Sequence, residues 1–89
     1  MEKIMLDGSK MTSKSTAHKY IKEALNFPIY YGENLDALWD MLSTISIPTS
    51  IYLTNEDKLK ENLGEYGELF IDVFQEASCD NDNICFSIG

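Results

Sequence analysis

Glu33, Asp36 and Asp40 stand within eight residues of one another in a chain of 89. Carboxylates this dense either cover a solvated helix face, share acid and base work, hold a metal ion, or present negative charge to a basic pocket. Helical spacing puts Asp36 and Asp40 one turn apart, opposite or flanking an apolar stripe of Leu35, Leu38, Trp39 and Leu42. Glu33 and Asp36 lie near the start of that helix, where the macrodipole favours acids. Asp40 is two turns in and gains nothing from the dipole, while Asp36 repels it by a few tenths of a kcal/mol. A solvated face and a carboxylate offered to a basic pocket fit this pattern equally well, and a metal-assisted hydrolase ranks last.

A second acidic line lies near the C-terminus. Glu68, Asp72, Glu76 and Asp80 follow one another at i+4 steps, forming one stripe on a helix whose other face is apolar. Glutamate is a good helix former and a polar face is ordinary, but two helices with the same like-charge cost suggest a use for the field. Between the first helix and the first acidic cluster runs Ile29-Tyr30-Tyr31-Gly32. Tyrosine offers a large contact area with little rotamer freedom to lose, as recognition surfaces require. One tyrosine of the pair is expected in the core and the other at the surface. Trp39 is expected in the core, with a rim position beside Asp40 as the alternative.

Enzymatic readings find little support. His18 is the single histidine, has only Glu23 as a nearby carboxylate in sequence, and reads as a partly exposed helical residue. No nucleophile triad can be assembled, and a chain this short offers little room for a sugar cleft around two carboxylates. Gly8-Ser9-Lys10 lacks the first glycine and the spacing of a phosphate loop. Asp80-Asn81-Asp82-Asn83 opens like a calcium loop but has Cys85 where glycine is required, and reads as a turn. Cys79 and Cys85 have no further cysteines and only His18 to complete a zinc set, so structural zinc is excluded; free, mostly buried packing thiols are expected from the cytosolic reading, with a disulfide between the two as the alternative. Neither a cofactor nor a metal is called for.

The formal charge is −8, from fifteen acids against seven lysines and no arginine. That balance argues against nucleic acid and anionic membranes and favours a basic partner. The charge is also uneven. Residues 1–22 carry five lysines, residues 23–57 carry six acids and no lysine, and residues 61–89 carry seven acids and no lysine. The longest uncharged stretch, residues 41–55, contains Pro48 and several hydroxyl residues and cannot span a bilayer. The N-terminus lacks a secretory apolar segment. A cytoplasmic protein, monomeric when free, is the expectation.

The elements that must position these residues follow from periodicity. Lys3-Ile4-Met5-Leu6 reads as a strand, too continuously apolar for a one-sided sheet and so mostly buried, ending at Asp7-Gly8. Ala17, Tyr20, Ile21, Ala24 and Leu25 define a helix capped by Ser13 or Ser15 and broken at Asn26-Phe27-Pro28. Asn34 caps the second helix, Ser50-Ile51-Tyr52-Leu53-Thr54 is a strand, and a short helix runs from Asn55-Glu56-Asp57 toward Leu63 and stops at Gly64. Tyr66, Leu69, Phe70, Val73, Phe74 and Ala77 mark the fourth helix, and Ile84-Cys85-Phe86-Ser87-Ile88 the last strand. Strand, two helices, strand, two helices, strand is an α/β order whose crossovers imply a three-stranded parallel sheet in one domain over residues 1–89.

The run Pro28-Ile29-Tyr30-Tyr31-Gly32-Glu33-Asn34-Leu35-Asp36-Ala37-Leu38-Trp39-Asp40 resembles the signature of the barstar family, intracellular inhibitors of barnase-type secreted microbial ribonucleases with a preference for guanyl sites. The Asp7-Gly8 turn, His18, the Val73-Phe74-Gln75-Glu76-Ala77 run and the length also look like family features. The resemblance implies a barstar-like fold, a small three-stranded parallel sheet packed with about four helices, and no enzymatic activity. It further implies that the second helix and its preceding loop plug a ribonuclease active site, with Asp40 standing in for a substrate phosphate against arginine, lysine and histidine. By the same likeness Tyr30 packs on a catalytic histidine, and Asn34, Leu35, Asp36 and Trp39 line the contact. Ser43 and Thr44 extend it, and Glu76 adds a second charge. The chain departs from the family at Ser43-Thr44-Ile45-Ser46-Ile47, which lacks the glycine, tryptophan and acid often found there. An acidic module of the same fold for a different basic protein is the alternative.

Overall fold

The computed structural model describes residues 2–89. Strands β1 (Glu2–Asp7), β2 (Thr49–Thr54) and β3 (Ile84–Ile88) form one sheet in the order β1-β2-β3, parallel throughout, with β2 in the centre. Helices α1 (Lys14–Ala24) and α2 (Leu35–Ser43) connect the first two strands, and α3 (Glu56–Leu63) and α4 (Glu65–Asp80) connect the last two. Parallel strands require such crossovers, so the α/β reading of the element order holds.

Register explains where the core sits. Ile4, Ile51 and Phe86 form one cross-strand row and Leu6, Leu53 and Ile88 another, and both rows face the helices. Phe70, Phe74, Ile71 and Ala77 of α4, Leu38 and Leu42 of α2, and Ala17 and Ile21 of α1 complete the core above them. The other face of the sheet is open: Lys3, Met5, Tyr52, Cys85 and Ser87 are exposed, Met5 at 61%. The expectation of a mostly buried first strand is therefore wrong. β1 is an edge strand of a one-sided sheet, and only Leu6 in it is fully buried. Cys85 on this open face and Cys79 on α4 are both free, but neither is buried, so the packing role expected of them falls away.

Helix ends are set by local chemistry. Ser13, rather than Ser15, caps α1 by accepting from the Thr16 N–H. The helix stops because Asn26 takes a left-handed φ of 57°. Its N–H donates to the Glu23 carbonyl and that of Phe27 to the Lys22 carbonyl, the paired bonds of a Schellman ending, before Pro28 has any say. On α4 the buried face consists of Gly67, Phe70, Ile71, Phe74 and Ala77. Leu69, expected on that stripe, is 44% exposed, since Ile71 takes the inward position.

Candidate functional site

Three elements build the acidic surface: the loop over residues 25–34, α2, and α4. The loop is anchored from beneath. Tyr31 is buried and its hydroxyl lies 2.8 Å from Nδ1 of His18, whose Nε2 lies 2.7 Å from the Tyr66 hydroxyl. His18 is 1% exposed, which corrects the partly exposed position expected of it. Burial pushes its pKa down, with the Glu33 charge pulling slightly the other way, and burial pushes both tyrosine hydroxyls up. The trio is thus a neutral hydrogen-bonded bridge between α1, the loop and α4, removed from acid–base work at the surface.

Above this anchor the paired tyrosines divide as expected. Tyr31 is core and Tyr30 is 77% exposed. Glu33 follows with a left-handed φ of 53°, an uncommon conformation for a residue with a side chain, and turns the chain into α2. Asn34 caps that helix, its Oδ1 accepting from the Ala37 N–H at 2.8 Å while its Nδ2 donates to the Gly32 carbonyl at 3.2 Å. The C-terminal end of α2 is held from another element. Asn81, just after α4, donates to the carbonyls of Leu42 and Ile45 at 3.0 Å each, and Asn83 donates to Ile45 at 3.3 Å. This clamp lies 36 to 39 residues away in sequence, so only the cluster of asparagines after α4 could have hinted at it.

On the outward face of α2, Asp36 and Asp40 are exposed and Leu35 is half-buried. Trp39 is also half-buried: it packs against the core and keeps part of its surface at the rim. Its ring forms part of an open groove of about 440 Å³ between α2 and α4, shared with Gln75, Glu76, Cys79 and Asp80. The structure therefore brings together Trp39 and Glu76 from different helices and adds Asp80, Gln75 and Cys79, which sequence reasoning had not assigned to a site. Asp80 and Cys79 are the i+4 and i+3 neighbours of Glu76, the signal that could have found them. Ser43 and Thr44 are exposed at the end of α2, and their hydroxyls donate to the carbonyls of Trp39 and Met41.

Among the described residues the ion pairs are Lys58 with Glu61 and Lys60 with Glu56, both within α3. Glu33, Asp36, Asp40, Glu68, Asp72, Glu76 and Asp80 have no basic side chain paired with them. No group of three or more histidine, cysteine or acidic side chains is placed to hold a metal ion among these residues. No helix is long and apolar enough to cross a membrane. What the surface offers is unpaired carboxylates, two of them sharing a groove with Trp39, an arrangement suited to cationic side chains.

Comparison with known proteins bears on the same surface. A family model described as "Barstar (barnase inhibitor)" matches residues 1–89. A protein of Bacillus subtilis (strain 168) named "Putative ribonuclease inhibitor YrdF" is 40% identical over 78 residues, covering 86% of each chain. With a match over its whole length and a relative this similar, the chain belongs to the barstar family.

Proposed function

We propose that this protein is a cytoplasmic inhibitor of a barnase-type, guanyl-preferring ribonuclease, acting as a non-enzymatic plug in which residues 1–89 work as one barstar-like domain. The observation that carries this reading is the set of unpaired, exposed carboxylates on α2 and α4, two of which, Glu76 and Asp80, line the groove beside Trp39. A ribonuclease active site is built to hold a phosphate, so it gathers cations, and a rigid carboxylate placed there satisfies them without a scissile bond. Family membership and the name of the Bacillus subtilis relative support the same conclusion.

In this reading Asp40 enters the phosphate position, where it meets guanidinium and ammonium groups in a desolvated pocket. Charge-assisted, bidentate pairing is strongest there. Tyr30 covers the edge of the site and stacks on its histidine. Asn34 holds the first turn of α2 rigid, while Leu35 and Asp36 line the approach. The groove between Trp39 and Glu76 accepts a further basic side chain, whose aliphatic stem lies on the indole while Glu76 meets its charge. Ser43 and Thr44 border the contact with hydroxyl oxygens that can still accept hydrogen bonds.

The test is a titration of a barnase-type ribonuclease, preferably from the same source, with the wild type, Asp40→Ala and an exposed control, Glu61→Ala. Stoichiometric inhibition by the wild type and the control is expected. Asp40→Ala should lose at least a hundredfold in affinity, since breaking a buried charge pair costs about 3–5 kcal/mol. Equal effects of the two substitutions would overturn the assignment of Asp40. No inhibition by any of the three would transfer the acidic surface to another basic protein, with the altered residues 43–47 as the first place to look.

A further inference from the structure

Ile29 is the most exposed large apolar side chain among the described residues, at 89%. It has Tyr30 beside it at 77%, and the two form the tip of a turn over residues 28–31 closed by the Tyr31 N–H donating to the Pro28 carbonyl at 3.0 Å. That tip is rigidly held. On one side lie the Schellman ending of α1 and the fixed φ of Pro28. On the other, Tyr31 packs against Phe27 with ring centroids 5.0 Å apart and bonds to His18. Two large apolar groups on a pre-organised turn are poor for solubility and lose little freedom on binding.

Charge around the tip narrows what it can meet. Lys19 and Lys22 of α1 lie on the chain before it, and the Lys22 ammonium comes within 3.5 Å of the Ile29 carbonyl. Glu33, Asp36 and Asp40 follow it. In sequence the tip thus falls where the lysines of α1, with Glu23 after them, give way to a run of acids. A strongly basic partner docked on the acids would be repelled beyond this line unless its own surface there were uncharged.

Building on the proposed inhibition, we infer that Ile29 is a specificity-determining contact, and that the ribonuclease bears an apolar or aromatic patch beside its basic pocket which Ile29 covers. Tyr30 reaches the edge of the pocket and Ile29 the surface next to it. The acids then govern approach to any cationic site, while Ile29 selects among ribonucleases by the shape and polarity of the neighbouring patch.

The experiment measures association and dissociation rates of the wild type, Ile29→Ala, Ile29→Lys and Asp40→Ala with a barnase-type ribonuclease, at low and moderate salt, alongside thermal unfolding of each variant. Ile29→Ala should raise the dissociation rate about tenfold, the scale of uncovering one aliphatic side chain. Its association rate and salt dependence should stay as in the wild type, because an apolar contact does not steer. Ile29→Lys should dissociate faster still. Unfolding temperatures should not move, since Ile29 packs on nothing in the free protein. If the wild type binds and Asp40→Ala weakens it, but Ile29→Ala dissociates within twofold of the wild type, the inference on Ile29 is overturned and the inhibitor reading stands. If the wild type does not bind at all, both fall together.

Discussion

The Tyr31 hydroxyl and His18 Nδ1 sit 2.8 Å apart in the core, and Tyr31 is the residue next in sequence to the exposed Tyr30. Since Nε2 of the same ring is taken by Tyr66, one imidazole joins the candidate contact loop to two helices. Removing the Tyr31 hydroxyl leaves a buried ring nitrogen without a partner. Tyr31→Phe should therefore lower stability by about 1–3 kcal/mol, the cost of an unsatisfied buried polar group. Urea unfolding should show a reduced midpoint with an unchanged slope. A midpoint equal to that of the wild type would mean that water or a rearranged Tyr66 satisfies His18 instead.

The same bridge gives stability a pH dependence of defined sign. Burial lowers the His18 pKa from its ordinary 6.5. In the unfolded chain the ring takes up a proton near 6.5 while the folded protein still resists, so acid favours unfolding. The His18 contribution is fully present above pH 6.5 and is lost as the pH falls from there through the folded value. Tyr31 acts at the other end. Its ordinary value of 10.0 is raised by burial and by the neighbouring Tyr66 and Glu33, so above pH 10 the unfolded state alone loses the proton and stability falls again. Denaturant midpoints measured across pH should form a plateau that declines on both sides, with the decline just below 6.5 absent in His18→Gln. A decline of the same size in that variant would assign it to carboxylates.

Much of this architecture was legible in the sequence, and the parts that were not have a common cause. Helices declared themselves because Asn34 and Ser13 cap them through neighbours three residues away, and α4 carries an apolar periodicity across its whole length. The parallel sheet followed from element order alone. Strand β1 misled because Met5 continues an apolar run yet points away from every helix. The alternation Ile84-Cys85-Phe86-Ser87-Ile88 already described a one-sided sheet, and reading the strands together would have placed Met5 and Cys85 outside. His18 lies next to Ala17 and one turn before Ile21, so its burial was available from the stripe. Its partners were not, being 13 and 48 residues away. The individual acids of the site were visible as charge, but the groove joining Trp39 to Glu76 exists only through the packing of α2 on α4.

That groove places one thiol at the candidate interface and leaves the other away from it. Cys79 lines it beside Trp39, whereas Cys85 sits on the open face of the sheet. Both are exposed and free, so both should react with an aromatic disulfide reagent in the native protein without denaturant. A bulky maleimide on Cys79, in a Cys85→Ser background, should then block ribonuclease inhibition by filling the space a basic side chain needs. The same adduct on Cys85, in a Cys79→Ser background, should leave inhibition intact. Loss of inhibition from the Cys85 adduct alone would move the contact surface to the sheet.

The unpaired acids should also act before contact is made. Opposite charges on two partners speed their encounter, so the expectation for this chain is one of sign. With a formal charge of −8 and the acids of α2 and α4 free of ion pairs among the described residues, the proposed basic ribonuclease should be drawn from beyond contact distance at low ionic strength. Screening shortens that reach to about 10 Å at 0.1 M salt, so the association rate should fall as salt rises. Asp72 lies on the exposed acidic stripe of α4 but outside the Trp39 groove, which makes it a probe of the field rather than of contact. Asp72→Asn should slow association at low salt and reduce its salt dependence, with dissociation nearly unchanged. Stopped-flow mixing at several ionic strengths reads both rates. If association is as fast at high salt as at low, the acidic faces of α2 and α4 do not steer, and their charge acts only where a carboxylate touches a cation.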